Sequence, residues 1–252
     1  MKIQYCSDLH LEFQENKNYL KSFPLKPEGE ILLLAGDIVL FKTLNEHDDF
    51  FNFCSDNFES TFWIPGNHEF YHYDLVNVKT PLYEKIRENV FLINNLTITY
   101  KNVSLVFSTL WSHIPPQHEW TVQKNVNDFN LIKNNGKKFN AADFNTLHKN
   151  DFNFLQTALA QLTDNPRIIV THHVPTLMHY PEQHQHSEIN SAFATELFDF
   201  IESSSAAYWI YGHHHCNIPA FKIGNTTMLT NQLGYVQQNE HLLFNPAAII
   251  EI

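Results

Sequence analysis

"EILLLAGD", residues 30–37, sets five apolar side chains in a row between a glutamate and a Gly-Asp pair. A strand with one face in water alternates apolar and polar residues. An unbroken run this short therefore reads as a strand covered on both faces, as in a parallel sheet flanked by helices. Similar runs are "KIQYCS" (2–7), "STFWI" (60–64), "VSLVFSTLW" (103–111), "RIIVTH" (167–172), "AAYWIYG" (206–212), "TTMLTN" (226–231) and "AAIIEI" (247–252). Between them lie segments of helical character at 43–57, 74–89, 143–162 and 190–203. The first opens on Thr43 with Glu46 three residues later, the spacing of a capping box; the third sets Leu155, Leu159 and Leu162 on one face. Strand and helix in alternation predict an α/β fold with central sheets. The later strands stand too close together for helices between them, which predicts meanders and a two-sheet sandwich. No repeat, low-complexity tract or domain boundary interrupts the chain, so residues 1–252 are expected to form one domain. The stretches 113–142 and 176–189 read as long loops, and loops of that length in a compact domain are often functional.

The 252 residues are 43% hydrophobic, enough for a sizeable core and too many for a disordered chain. Sixteen Lys and Arg against 27 Asp and Glu give a formal net charge of −11. That balance disfavours nucleic acid as a partner, because phosphate backbones are gripped by clustered cations. Cys6, Cys54 and Cys216 show no CxxC spacing and are odd in number, which suits a reducing compartment and a cytoplasmic location. The opening "MKIQYCSDLH" has no apolar signal core, and "ILLLAGDIVLF" is too short to span a bilayer, so no membrane role is expected. Oligomeric state leaves no mark in the sequence.

Sixteen histidines are the compositional oddity, and their grouping carries the information. The apolar runs stop at polar clusters of one character: Asp8 and His10 in "SDLH", Asp37 in "GD", Asn67, His68 and Glu69 in "GNHE", His172 and His173 in "THH", and His213, His214 and His215 in "GHHH". In α/β folds, sites gather at the carboxyl ends of strands. In extended backbone, residues two apart face one side, so Asp8 pairs with His10 and His213 with His215, while His214 points elsewhere, as a neighbour on the rim. The donor set is Asp8, His10, Asp37, Asn67, one of His172 and His173, His213 and His215. Mixed oxygen and imidazole donors suit Mn, Fe or Zn. Seven donors exceed one tetrahedral zinc and match two ions sharing a bridging carboxylate. Such pairs clamp both oxygens of an in-line phosphoryl displacement and supply a hydroxide near neutral pH.

The series "SDLH…GD…GNHE…THH…GHHH" resembles the calcineurin-like metallophosphoesterases, over most of the chain. Closest are compact bacterial members with "PGNHEFY", "TLW", "NDF" and "THHxP", matched by Pro65–Tyr71, Thr109–Trp111, Asn127–Phe129 and Thr171–Pro175. The resemblance implies a four-layer α/β-β/α sandwich with two central mixed sheets. It implies that Asp8, His10 and His215 hold one metal, that Asn67, His172 and His213 hold the other, and that Asp37 bridges them. It implies His172 rather than His173 as the ligand, and His68 as the catalytic residue over the scissile phosphate. The activity implied is hydrolysis of a phosphomonoester or phosphodiester on a small substrate, using two divalent or trivalent transition-metal ions. Glu69 is expected to orient its loop as an N-terminal acid on the segment that follows.

The likeness has gaps. "GDIVLF" stands where phosphoprotein phosphatases carry GDxVDRG, and "SDLH" where they carry GDxHG, so protein phosphatase activity is not implied. Similar chains often carry an arginine in the loop matched by "NQLGY" (231–235), where this one has Leu233. Substrate contacts then fall to His173, Asn231 and Tyr235, with His179, His184 and His186 as further candidates. Cys216 reads as a half-buried residue rather than a ligand. Trp63, Trp111, Trp120 and Trp209 are expected to pack in the core, although Trp120, in the long loop, could instead cover a flat group. Two other readings compete: a non-catalytic metal-binding scaffold on the same fold, and a metal hydrolase acting on an amide.

Overall fold

The computed structural model describes residues 1–185 and 187–252, with Gln183 described by its main chain alone. The strands are β1 (Lys2–Cys6), β2 (Ile31–Ala35), β3 (Ser60–Ile64), β4 (Leu82–Arg87), β5 (Val90–Asn94), β6 (Leu96–Tyr100), β7 (Val103–Phe107), β8 (Lys133–Asn134), β9 (Lys137–Lys138), β10 (Arg167–Val170), β11 (Tyr208–Ile210), β12 (Phe221–Ile223), β13 (Thr226–Leu229) and β14 (Ile249–Glu251). The helices are α1 (Gln14–Ser22), α2 (Asp48–Asn57), α3 (Glu119–Asn125), α4 (Asp128–Leu131), α5 (Ala141–Ala160) and α6 (Phe198–Ser203). Two six-stranded mixed sheets form, in the orders β14-β1-β2-β3-β5-β4 and β12-β13-β11-β10-β7-β6. In each, the four inner strands are parallel and both edge strands are antiparallel to their neighbours.

The alternation of side chains along a strand explains the opening stretch. Ile31, Leu33 and Ala35 face inward against Leu105, Phe107, Ile168 and Val170 of the other sheet. Leu32 and Leu34 face outward and pack with Phe51 and Cys54 of α2. On the far side, Val106, Ile169 and Trp209 pack with Leu155 of α5 and Ile201 of α6. The layers are thus helix, sheet, sheet, helix, the four-layer α/β-β/α sandwich expected. Helix α5 is fixed at its start by a capping box: Asn140 Oδ1 accepts from the Ala142 and Asp143 amides, and Asp143 accepts from the Asn140 amide.

Several local readings are corrected. Segment 74–89 is a 3-10 turn at Leu75–Asn77 followed by the edge strand β4, not a helix. Thr43 does not cap: Phe41–His47 is 3-10, Thr43 is its kink, and its hydroxyl has no partner. Leu162 lies beyond the end of α5 and is fully exposed, whereas Leu155 is buried. Within 190–203 only α6 is α-helical. The stretch 113–142 holds α3, α4 and the β8–β9 pair, closed over an aromatic cluster that includes Trp111, Phe129, Phe139 and Phe144. Trp63, Trp111 and Trp209 are buried, but Trp120 on α3 is 71% exposed, with the Lys124 ammonium 4.9 Å from its ring centroid.

Asp151 on α5 ties the helix to the second sheet, accepting from Asn95 Nδ2 at 2.7 Å and from the Trp111 amide at 3.2 Å. Burial pushes its carboxyl up from 3.8 to about 6. A raised folded value stabilises the fold below the unfolded value and is lost as pH climbs through the folded one. Asp151→Asn does not titrate. Between pH 4 and pH 7 the variant is therefore expected to gain on the order of 3 kcal/mol relative to wild type. Urea unfolding at stepped pH measures this; parallel curves would refute it.

Candidate functional site

Five parallel strand ends converge: β1, β2 and β3 of one sheet with β10 and β11 of the other. The expected donors lie in the turns that follow them, but the local geometry differs from the extended backbone inferred from their spacing. Asp8, His10, Asp37, His213 and His215 have φ of 55°, 47°, 55°, 79° and 51°. This left-handed region is sparse for side-chain-bearing residues, and Asp and His are among those that tolerate it best. Each turn swings its donor back over the sheet edge. The turns are stitched together: the Asp8 amide donates to Gly36 O at 2.9 Å, the His10 amide to Asp37 O at 3.0 Å, and the His213 amide to Asp8 Oδ1 at 3.0 Å.

Among the described residues, two donor clusters meet at Asp37, beside a third group of His10, Glu12 and His68. One gathers Asp8, His10, Asp37 and His215, and the other Asp37, His172 and His213. Asp37 belongs to both, and its Oδ2 lies 3.8 Å from His10 Nε2 and 3.4 Å from His172 Nε2. Asn67 joins the second cluster, its Oδ1 3.3 Å from His172 Nε2. His173 turns away: its Nδ1 faces the Ser112 amide and hydroxyl, its Nε2 is unpartnered, and its ring stacks on His213 at 4.1 Å. His213 and His215, expected as a pair, serve different clusters, and His214 leans away onto Gln232.

The far sides of these groups are anchored. His10 Nδ1 bonds Glu12 Oε1 at 3.0 Å, His215 Nδ1 bonds Glu240 Oε2 at 2.7 Å, and His172 Nδ1 bonds Ala35 O at 2.8 Å. With Nδ1 engaged, Nε2 of each ring points inward, the arrangement that orients imidazoles toward a metal. Asn67 donates through Nδ2 to Asp128 Oδ1 at 2.8 Å, which turns its carbonyl oxygen inward. Glu12, Asp128 and Glu240 carry no role in the sequence reading. Glu12 has a signal, an acid two residues beyond His10 in "SDLHLE", and Asp128 sits in "NDF"; Glu240 has none.

Electrostatics show what the clusters call for. His10 and His215 set their Nε2 atoms 2.9 Å apart, so a proton or a cation must lie between the two lone pairs. Burial lowers His172 and His215, yet Asp37 outweighs it at the first and Asp8 with Glu240 at the second, so they rise to about 9 and about 10. Burial also opposes ionisation of Asp37, but the surrounding imidazoles hold it well below the usual carboxylate range. Protons thus stand where divalent ions would replace them. The neighbouring backbone leaves no room for more: a Cβ on Gly66 would meet Asp37 Oδ1 and lie 2.6 Å from His172 Nε2, and one on Gly212 would meet Asp8. The donor set and its tight glycine cradle fit two ions. Gly66→Ala is expected to lose metal uptake while its strands still pair, seen as metal content near zero with an unchanged circular dichroism spectrum.

His68 stands beside both clusters. Its amide donates to Asp37 Oδ1 at 2.9 Å, its Nδ1 bonds Glu12 Oε1 at 2.8 Å, and its Nε2 lies 3.3 Å from the Tyr235 hydroxyl. Burial lowers it, but Asp37 and Glu12 bring it above its ordinary value. Glu69 does more than orient one loop. It is fully buried and accepts from the amides of Asp37, Ile38 and Gly66 and from Trp63 Nε1, tying β2 to β3. Of the substrate candidates, Tyr235 and His184 wall the cavity in front of the clusters. His173 is sealed behind His213. Asn231 spends its side chain on Tyr5 O, Asn245 O and the Asn245 amide, which makes it a structural clip. His179 packs on Phe221, Leu233 is buried, and His186 lies outside the described residues. Cys216 is half-buried, and all three cysteines are free.

Comparison with known proteins agrees with this architecture. A viral protein, uncharacterized protein L509 of Acanthamoeba polyphaga mimivirus, is 30% identical over 99% of this chain and 96% of its own. Phosphopantetheinyl hydrolase from Mycobacterium tuberculosis superposes with a TM-score of 0.67 at 18% identity, covering 94% of this chain and 90% of that one, a likeness of fold. A dimetal phosphatase from Danio rerio gives a TM-score of 0.47 at 12% identity, over 92% and 87% of the two chains. The pattern of the calcineurin-like phosphoesterases matches residues 1–217. A match of that extent decides the matter: the chain belongs to the calcineurin-like phosphoesterase family.

Proposed function

We propose that this protein is a binuclear metal-dependent hydrolase of small phosphoesters, with Asp8, His10 and His215 at one ion, Asn67, His172 and His213 at the other, and Asp37 between them. The observation that carries the reading is the sharing of Asp37 by two donor clusters that open through Asp37, His213 and His215 onto one cavity, which His68 also lines. Members of the family use a binuclear divalent centre. When bound, two such ions polarise a phosphoryl oxygen and provide the nucleophile near neutral pH. Mn, Fe and Zn all suit a mixed carboxylate, amide and imidazole set.

The chain's own residues supply the rest. Glu12 holds His68 through Nδ1, so Nε2 faces the cavity and carries the proton for the leaving oxygen. Tyr235 borders that nitrogen and limits where a leaving group sits. Glu12 also steadies His10, so one carboxylate sets both a metal ligand and the proton donor. Three free cysteines support a reducing, cytoplasmic setting; among the described residues no helix is long and apolar enough to cross a membrane.

Metal content of protein purified without chelator, with nitrophenyl phosphate hydrolysis on the same sample, tests the reading. Two transition-metal ions per chain and turnover that EDTA abolishes and manganese restores are expected. A chain that binds ions yet hydrolyses neither mono- nor bis-nitrophenyl phosphate would favour the scaffold reading.

A further inference from the structure

The cavity in front of the two clusters has a volume of about 320 Å3. Among the described residues that wall it there is no lysine and no arginine. Its walls are amides and rings, Asn125 and Asn127 on one side and Tyr180 and Phe193 on the other. Its charged groups are the proton-bearing His68 and five carboxylates: Asp37, Asp128 and Glu240 line it, Glu12 holds His10 and His68, and Asp8 contacts His215. Two divalent ions and the protonated His68 bring five positive charges, and the carboxylates of Asp8, Glu12, Asp37, Asp128 and Glu240 already balance them. A phosphomonoester carries about 1.5 to 2 negative charges near neutral pH, since its second proton leaves near pH 6. A site that recognises such a dianion in a partly desolvated cavity is served by positive charge in excess of that balance, commonly arginine with its bidentate fork. A phosphodiester carries one negative charge and presents a second ester group, which amides and rings suit. The volume is at the low end for ligand sites, and a nucleic-acid strand would need a basic groove.

We propose that the substrate is a small phosphodiester with uncharged alcohol groups, and that the enzyme stops at the monoester. This rests on the hydrolase reading above. Hydrolysis joins the oxygen of water to phosphorus and breaks one P–O ester bond. The leaving oxygen takes a proton from His68; of the two protons of the attacking water, one returns to the histidine and the other goes to solvent. The products are one alcohol and one phosphomonoester. The latter is a dianion for which the cavity offers no lysine or arginine and no positive charge in excess of its carboxylates, so it leaves rather than being cleaved again.

Manganese-loaded protein given bis-nitrophenyl phosphate and mono-nitrophenyl phosphate tests this. The diester is expected to have at least tenfold higher kcat/KM, to release one nitrophenol per molecule, and to yield no inorganic phosphate. Asn127 has right-handed backbone, φ −65° and ψ −26°, so arginine is accommodated there without backbone strain. Asn127→Arg is expected to shrink the diester preference at least tenfold. By calorimetry it is expected to tighten methyl phosphate binding much more than dimethyl phosphate binding. A monoester turned over as well as the diester, or inorganic phosphate accumulating, would overturn the diester assignment and leave the hydrolase standing. Two bound ions with no turnover of either ester would instead overturn the hydrolase reading itself.

Discussion

Asp37→Asn is expected to reduce bound metal to one ion per chain or fewer and to lower turnover by well over 100-fold. The side chain is fully buried and is common to both donor clusters, so no neighbouring group can replace it. Losing an outer partner of a ligand costs about 10–100-fold in affinity or activity; losing the shared ligand costs more. Asparagine keeps the shape and can still accept from the His68 amide, now at 2.9 Å, and it tolerates the left-handed backbone at this position. The fold is therefore retained. The charge change also reaches His172, which Asp37 holds up at about 9. Without the carboxylate, burial lowers that imidazole, and it loses its proton at a lower pH than in wild type. Metal analysis, turnover and an NMR titration of His172 in the metal-free protein check the three parts. Two ions per chain in the variant would exclude Asp37 as the bridge.

His68→Ala is expected to behave differently: normal metal content, little change in KM, and a loss of about 10²–10⁴-fold in kcat, the usual contribution of a positioned proton donor. The loss should grow as the leaving group becomes more basic, because nitrophenolate departs with little help and an alkoxide does not. Glu12 keeps its bond to His10, so the ligand stays oriented. A loss of equal size for nitrophenyl and alkyl esters would assign His68 to charge stabilisation rather than proton transfer.

The inner strands were legible because both faces are covered, which leaves an unbroken apolar signature in "ILLLA" and "STFWI". Strand β4 was not legible. It is an edge strand with an exposed stretch at Tyr83–Lys85; its charged residues fit a helix surface equally well, and only pairing with β5 makes it a strand. Thr43 and Asn140 show the same limit at helix starts: both precede an acid by three residues, yet only Asn140 has a helix packed behind it. At the candidate site, the residues that come together were legible but their geometry was not. The i, i+2 spacing of Asp8 with His10, and of His213 with His215, predicts extended pairs, whereas left-handed turns aim them and send His213 to a different cluster from His215. Glu12, Asp128 and Glu240 were silent because a lone acid acquires meaning only from what it touches. Trp120 lies outside the core because α3 turns it to solvent, a choice set by tertiary packing rather than residue type.

The donors of the first cluster lie at opposite ends of the chain: His10 and His215 meet across 205 positions, and Glu240 is needed to hold the latter. During synthesis, a ribosome-bound chain that has released its first sheet strands displays Asp8, His10, Asp37 and Asn67 but has no means of completing either ion site. If the ions bind as proposed, metal capture is a late event in the life of each molecule, coincident with docking of the second sheet on the first. A bound ion would then add a fastener between two halves that a shared apolar core already holds together.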